Sequence, residues 1–337
     1  MYKNRVKVSL EELDHRHRGV KYLITNRVIG GSFIFGDVEK QRFLKLLFEG
    51  QERHAYRVLD YVLMDNHYHC IIEVKPPEEM SHDELLDRWN MSQRSGWREP
   101  EEDVLLAFRE RIHDLSFVLG NFEQRFVQWY NKRNTRLGSL FNRFDSVIIG
   151  GGSSLAALMA YITLNPVRAG IVSDPAEYHW CGYAARMAKG VLTMHDIELV
   201  EDLHRALSLP PQIMKLAEKR QLELLWKYFR ERLMRAGLKA HTEKGDWKAS
   251  AETVGGQLDD EGKDEGKDVG LDKAQHFMLK VRFATKGVAI GTEAFIEEVL
   301  STCGRALGYK RTHHACEHNI WDHVHSLKKH RKAKTYI

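Results

Sequence analysis

Two histidines stand one residue apart in the segment HYHCIIEV, at positions 67 and 69. The segment is rich in β-branched and aromatic residues and predicts a strand, in which successive side chains alternate between two faces. His67 and His69 therefore leave the same face. The other face receives Cys70, Ile72 and Val74, which can enter the core. Two neutral imidazoles on one face are half of a divalent-metal site, although packed or exposed histidines give the same pattern.

A second candidate lies in the segment SSLAALMAYITLNPVRAGIV, which begins at residue 153. Ser153 or Ser154 can cap the start of a helix, and a stripe of apolar residues at helical spacing predicts its buried face. Tyr161 and Asn165 lie four residues apart, so both point to one flank of that stripe, one turn apart. Pro166 is expected to end the helix. This spacing alone also fits a boundary tyrosine followed by a polar C-terminal cap.

The segments that must position these side chains alternate strand-like and helix-like patterns. Two of the strands are joined across Asp65-Asn66, a good turn pair. The order strand, helix, strand, strand, helix, strand, helix predicts an α+β fold, with a ferredoxin-like antiparallel sheet and helices on one face. These elements are expected at residues 21–29, 38–50, 55–64, 67–74, 115–132, 139–149 and 153–164.

The length of 337 residues predicts two domains or one large one. The clearest boundary is a stretch rich in Gly, Asp and Glu with almost no apolar residues, which predicts a linker or a long surface loop. The region that follows it is expected to be mostly helical. The predicted division is a first domain at 1–185 with an insertion at about 76–112, a helical extension at 186–239, the acidic Gly-rich linker at 240–272, and a small helical accessory region with a basic tail at 273–337.

The composition is that of a chain able to bury a core, with 43% hydrophobic and 29% charged residues. No apolar run approaches the roughly 20 residues that span a membrane, and the charged N-terminus does not resemble a signal peptide, so a cytoplasmic protein is expected. The four cysteines form no CxxC pair, which argues against a disulfide framework and a four-cysteine zinc module. The net charge of +4 is too small to indicate a nucleic-acid partner by itself.

Three motifs in order give this sequence a resemblance to a known family. The segments YVLMDNHYHCIIEV, WYNKRNTRLGSLFNRFDSVII and YITLNPVRAGIV resemble those of single-tyrosine HUH transposases, and most closely the REP-associated tyrosine transposases. The resemblance implies an HUH nuclease fold. The HUH motif of the family corresponds to His67, Tyr68 and His69. Its nucleophile corresponds to Tyr161, and its third metal ligand corresponds to Asn165.

The resemblance covers about residues 18–185 and also implies a reaction. Mg²⁺ or Mn²⁺ held by His67, His69 and Asn165 would polarise the scissile phosphate while Tyr161 attacks it in line. Attack on single-stranded, hairpin-forming DNA would leave a 5′-phosphotyrosine and a free 3′-OH, and a second 3′-OH can reverse the step without ATP. The protein would then be a DNA strand transferase that acts as a monomer or a homodimer.

Two other functions remain open. A sequence-specific DNA-binding or regulatory protein can keep such a fold without catalysis, although Tyr161, both histidines and Asn165 are all present here. A plasmid replication initiator or relaxase shares the HUH chemistry, but such proteins usually carry a helicase, and no GxxxxGK[ST] phosphate loop occurs in this sequence. A transposase-type nuclease is therefore the leading hypothesis.

Basic and aromatic residues near these motifs are candidates for DNA binding, since aromatic rings stack on unpaired bases and Arg or Lys side chains meet phosphates. A helix with a solvated basic face and a core Trp gives the same pattern. Arg143 and Arg168 are favoured because they flank the proposed metal. The full set of candidates is Trp129, Lys132, Arg133, Arg136, Arg143 and Arg168.

Overall fold

The computed structural model describes residues 19–77, 80–93, 99–189, 211–216, 220–221, 223–231, 287–303, 316–318 and 324–328. Within these ranges the strands are β1 (Val20–Arg27), β2 (Tyr56–Leu63), β3 (His67–Val74), β4 (Asp145–Ile149), β5 (Gly287–Gly291), β6 (Cys316–His318) and β7 (Val324–Lys328). They form one sheet in the order β2-β3-β1-β4-β5-β7-β6.

The α-helices of the same ranges include α1 (Asp37–Arg53), α2 (His82–Ser92), α3 (Glu102–His113), α4 (Leu115–Arg133), α5 (Ser153–Thr163), α6 (Asn165–Arg168), α7 (Gly182–Lys189) and α8 (Glu293–Cys303), and residues 220–221 and 223–231 are also helical. The α4 helix begins at a side-chain cap, because Asp114 accepts the backbone N–H groups of Ser116 and Phe117. None of the described helices is long and apolar enough to cross a membrane.

The first four strands have the connectivity of a ferredoxin-like sheet. The β1 strand pairs antiparallel with both β3 and β4, and β2 pairs antiparallel with β3. The α1 helix joins β1 to β2, and α4 lies between β3 and β4, which is the split βαβ pattern. Both helices pack on the face that carries Tyr68, Cys70 and Ile72 of β3. The α+β class predicted from the sequence is confirmed.

The second face of the sheet is covered as well, so the expectation of helices on one face only was wrong. Leu23, Ile71 and Val147 of the sheet pack in one core with α5, α7 and Trp226. Every residue of α5 from Ser154 to Thr163 is buried. A helix that is apolar on all sides needs cover on all sides, and the chain that follows α6 supplies the outer cover.

The predicted strand at 139–149 is shorter than expected, because β4 begins only at Asp145. The residues before it form a loop, in which the Arg136 guanidinium donates to backbone carbonyls of the same loop. Phe141 makes only an isolated bridge to the residue after β1. The loop leaves Arg143 exposed, two residues before the strand.

The described part of the C-terminal region is not mostly helical, which corrects the sequence-based expectation. Its strands β5, β7 and β6 extend the sheet beyond β4, and its one described helix, α8, packs on them in a small core that includes Ile148 and Ile296. The backbone joins the first domain through the parallel pairing of Ile148 with Ala289 and of Ile149 with Ile290. Such pairing depends on a strand far away in sequence, so no local pattern predicts it.

Several predicted segments lie wholly or largely outside the described residues, and the domain division stays a prediction. They are the linker at 240–272, most of the extension at 186–239, and the end of the basic tail at 329–337. The insertion at 76–112 contains α2 and α3, which share a small core of their own with Ala55 of the main domain.

Candidate functional site

Two rows of side chains cross one end of the sheet. His67 is the cross-strand partner of Arg27, and His69 is the partner of Thr25. Thr25 pairs in turn with Asp145 on β4. Directly opposed residues of an antiparallel pair project from the same face, so all five side chains share one face. It is the face that α5 covers, because Leu23 and Ile71 alternate in step with these residues and pack against α5.

The two imidazole rings lie side by side at the start of β3. Their centroids are 5.2 Å apart and their planes meet at 86°. His69 is buried and His67 is half-buried. The pair is therefore partly open to solvent on the His67 side, at the end of the sheet.

Both histidines are held through Nδ1. Nδ1 of His69 lies 2.8 Å from Oγ1 of Thr25, and Nδ1 of His67 lies 2.7 Å from Oδ1 of Asn66. The amide nitrogen of Asn66 donates to the carbonyl of Gly31 at 3.1 Å, so the amide oxygen faces His67. Because that oxygen can only accept, Nδ1 of His67 carries a proton, and in the neutral imidazole Nε2 then carries the lone pair. This is the arrangement of metal-binding histidines, whose second nitrogen is fixed by a neighbouring polar group.

The spacing of the rings fits one shared divalent ion. An ion about 2.1 Å from each Nε2 lies about 3.2 Å from each ring centre, so imidazoles that share it at about 90–110° have centres about 4.5–5.2 Å apart. The observed separation is 5.2 Å. Among the described residues, no three His, Cys, Asp or Glu side chains form a cluster that could hold a metal. The third ligand named from the sequence is an amide, Asn165, and its role stays a prediction.

Tyr161 lies against the histidine pair. Its ring centroid is 5.9 Å from that of His69, edge to face at 80°. The guanidinium carbon of Arg168 lies 4.1 Å from the centre of the Tyr161 ring. Tyr161 is only 5% exposed. The structure therefore brings together four residues that the sequence singled out, the two histidines, Tyr161 and Arg168, although they are separated by up to 101 positions in the chain.

Asn165 opens α6, one helical turn after Tyr161, and is buried. Pro166 does not end the helical path, as was expected. It stands in the first turn of α6, where a missing N–H costs nothing. Leu164 joins α5 to α6 with φ −81° and ψ 0°, so Tyr161, Asn165 and Arg168 follow one another along one nearly continuous helix.

Tyr68, between the two histidines, points away from them into the opposite core. Its hydroxyl donates to Oε1 of Glu123 at 2.6 Å, and the amide of Asn26 donates to the same oxygen at 2.6 Å. Burial, and then the Glu123 carboxylate, hold the pKa of Tyr68 well above its usual range. Tyr68 is thus a positioning residue for β3, and it is not available as a nucleophile.

The turn before His67 is anchored to α1. Nζ of Lys40 lies 2.6 Å from Oδ1 of Asp65, and the Asp65 carbonyl accepts the backbone N–H groups of Ile34 and Phe35. Lys40 also lies over the Tyr178 ring, 5.5 Å from its centre. These contacts fix the point at which β3 starts, and with it the position of His67.

Two exposed arginines flank the histidine end of the sheet. Arg27 is opposite His67, and the backbone N–H and the side-chain amide of Asn142 both donate to the Arg27 carbonyl. Arg143 follows Asn142 and is exposed. Arg27 was missed from the sequence, as were Thr25 and Asn66. The strand register, which is not visible locally, relates Arg27 and Thr25 to the histidines. Asn66 directly precedes His67, but the sequence indicated it only as a turn residue.

The remaining DNA-binding candidates lie near the end of α4, which packs on the opposite face of the sheet. Trp129 is half-buried. Its ring lies 5.7 Å from that of Phe126 at a tilt of 41°, and the Arg133 guanidinium lies 5.9 Å from its centre. Lys132 is exposed. Arg136 donates to Asn131 and to two loop carbonyls, which indicates a structural role. The DNA-binding assignment of these four residues stays a prediction.

No protein-family model and no curated protein matches this chain. Among solved structures, the chain is similar to a REP-associated tyrosine transposase bound to a REP hairpin, with a TM-score of 0.38 and 15% sequence identity. The similarity covers 57% of this chain and 89% of that one. A likeness of this size assigns neither a fold nor an activity.

Proposed function

We propose that the chain is a metal-dependent DNA strand transferase that cleaves and rejoins single-stranded, hairpin-forming DNA with Tyr161 as its nucleophile. The observation that carries the proposal is the contact between the rings of Tyr161 and His69, beside His67 on the same face of the sheet. The order of the three sequence motifs, which resembles that of single-tyrosine HUH transposases, supports it independently.

The residues proposed to hold Mg²⁺ or Mn²⁺ are His67, His69 and Asn165. When bound, the ion supplies positive charge that withdraws electron density from the scissile phosphate. Thr25 and Asn66 fix the two imidazoles through Nδ1, so neither ring has to reorganise when the site fills.

Tyr161 supplies the attacking oxygen. A bond forms between its Oη and phosphorus while the bond from phosphorus to the 3′ oxygen breaks. The phenol proton leaves to solvent, and the departing 3′ oxygen takes up a proton. The product is a 5′-phosphotyrosine and a free 3′-OH. Attack by another 3′-OH reverses the exchange and restores the phenol, so cutting and joining need no external energy source.

Arg27 and Arg143 are proposed to bind the DNA backbone at the entrance to this site. Both are exposed, and both stand at the end of the sheet where His67 is partly open to solvent. Guanidinium groups suit phosphate because they donate two parallel hydrogen bonds.

A second function is favoured by one observation. Tyr161 is 5% exposed, and so small an accessible surface suits a protein that binds DNA hairpins without cutting them. Such a protein would act as a sequence-specific regulator on the same fold.

A denaturing gel separates the two functions. The protein is incubated with end-labelled hairpin DNA in Mg²⁺, in Mn²⁺ and in EDTA. A slow adduct that needs metal and is lost in Tyr161→Phe supports the transferase. Tyr228→Phe is the matched control, because it removes an exposed phenol of a helix remote in sequence from both motifs. A shift on a native gel without any adduct supports the regulator.

A further inference from the structure

Arg168 makes an unusually close contact with the Tyr161 ring. Its guanidinium carbon is 4.1 Å from the ring centre. The other cation–ring contacts within the described residues span 5.0 to 5.9 Å. Contacts of this kind gain strength when they are withdrawn from water, and here the arginine is half-buried and the tyrosine is buried.

The backbone fixes where Arg168 can reach. Gly170 adopts φ 70°, its N–H donates to the Val167 carbonyl, and the N–H of Ile171 donates to the Pro166 carbonyl. This pair of bonds is a Schellman motif, which ends α6 directly after Arg168. Helical side chains lean towards the N-terminus of their helix. The guanidinium is therefore carried back over the preceding turns, where Tyr161 lies.

The Tyr161 ring is thus bounded on two sides. The His69 ring meets it edge to face, and the Arg168 guanidinium covers one of its faces. Burial lowers the pKa of Arg168 and the nearby Tyr161 opposes that shift, but an arginine stays charged at neutral pH in either case. A planar cation on the ring restricts the side-chain rotations that would move the phenol oxygen.

We propose that Arg168 is a positioning residue for Tyr161, and that its guanidinium holds the phenol ring against His69 instead of binding a DNA phosphate. The importance of this clamp for cleavage rests on the proposed function. The clamp itself does not, since it is a contact within the chain.

A clamp and a phosphate contact have different signatures. A phosphate contact contributes to affinity for any sequence and to its salt dependence, so its loss lowers the slope of log K against log salt by about one. A clamp leaves hairpin affinity and the salt slope unchanged. Its loss slows covalent capture, because displacing a reacting atom by about 1 Å can cost about 100-fold in rate.

The first experiment compares Arg168→Ala and Arg168→Lys with Arg143→Ala. Arg143 is the control because it is an exposed arginine at the same site. We expect Arg168→Ala to slow adduct formation about 10-fold to 100-fold, with hairpin Kd and salt slope within twofold of wild type. Arg168→Lys keeps the charge without the planar group and should recover only part of the rate. Arg143→Ala should instead weaken binding and lower the slope.

The second experiment needs neither DNA nor metal. Tetranitromethane nitrates accessible tyrosines, and Tyr161 is the only tyrosine between Arg143 and Arg168, so one tryptic peptide reports on it in wild type and in Arg168→Lys. Arg168→Ala lacks the trypsin site at residue 168, so in that variant fragment spectra of the longer peptide locate the nitro group. We expect nitration of Tyr161 to rise several-fold in Arg168→Ala, while nitration of Tyr228 stays constant and reports that the rest of the fold is intact.

Unchanged nitration of Tyr161 in folded Arg168→Ala would overturn the clamp, and so would a loss of hairpin affinity with a lower salt slope. If Arg168→Ala does not fold, Arg168→Lys and Arg168→Met carry the same nitration test. Faster nitration of Tyr161 in Arg168→Ala, together with no DNA adduct in wild type, would support the clamp and refute the transferase. The two proposals therefore fail separately.

Discussion

Replacing Thr25 with valine should weaken binding of Mn²⁺ at the histidine pair. The substitution removes the hydroxyl that lies 2.8 Å from Nδ1 of His69 and keeps the β-branched shape of the side chain. Without that partner, the His69 ring can rotate and change tautomer, so its Nε2 is no longer directed to the site. Thr25 is not itself a proposed ligand, so the substitution should affect metal binding only through the orientation of His69.

The size of the effect follows from two known magnitudes. Removing a partner that orients a metal-binding histidine typically costs about 10-fold to 100-fold in metal affinity. The net stability of one such hydrogen bond is about 1 kcal/mol, and valine is at least as favourable as threonine in a strand. The variant should therefore stay folded while its Mn²⁺ affinity falls.

The assay is a titration of the DNA-free protein with Mn²⁺, followed by electron paramagnetic resonance of the unbound ion. Thr163→Val is the matched control, because it makes the same substitution at a buried threonine whose Oγ1 has no hydrogen-bond partner within the described residues. That control should bind Mn²⁺ like wild type. If folded Thr25→Val bound Mn²⁺ within twofold of wild type, the assignment of Thr25 as a positioning residue would be refuted.

Three further predictions concern the entrance, the scaffold and pH. Arg27→Ala should weaken hairpin binding for all sequences and lower the salt slope by about one, and an unchanged slope in a filter-binding titration would exclude a phosphate contact. Glu123→Gln should lower the free energy of unfolding by about 1–3 kcal/mol in urea, because the carboxylate accepts from both Tyr68 and Asn26; a change below that range would contradict the network. Burial, and then nearby arginines, lower the pKa of His54 to about 4, so the unfolded chain, with a pKa near 6.5, binds the proton first. Stability should therefore fall between pH 6.5 and 4, by up to about 1.4 kcal/mol per pH unit from this group, and His54→Gln should remove that component of the pH profile.

The sequence predicts the site best where the information is local. The alternation of His67 and His69 with Cys70 follows from the period of a strand, and the shared direction of Tyr161 and Asn165 follows from the period of a helix. The order of the first elements likewise leads to the ferredoxin-like connectivity, since short connections leave few ways to pair four strands.

Features that depend on pairing between distant segments were not predictable. Thr25 and Arg27 acquire their roles only through the register of β1 against β3. The strands of the C-terminal region join the sheet where β5 pairs in parallel with β4, and strands of only three to five residues carry a weak local signal. The contact of Arg168 with the Tyr161 ring is local, two turns apart on one helical path, but Arg168 was named from the sequence only as a DNA-binding candidate that flanks the proposed metal.

The central claim is that Tyr161 forms a covalent bond to DNA, and mass spectrometry of the reacted protein tests it most directly. The protein is incubated with hairpin DNA and Mg²⁺ or Mn²⁺, then digested with nuclease and trypsin. We predict that the peptide from residues 144 to 168, whose single tyrosine is Tyr161, carries a nucleotide linked through a 5′ phosphate, and that EDTA prevents it. A nucleotide on any other residue, or cut DNA with no modified peptide, would contradict the account.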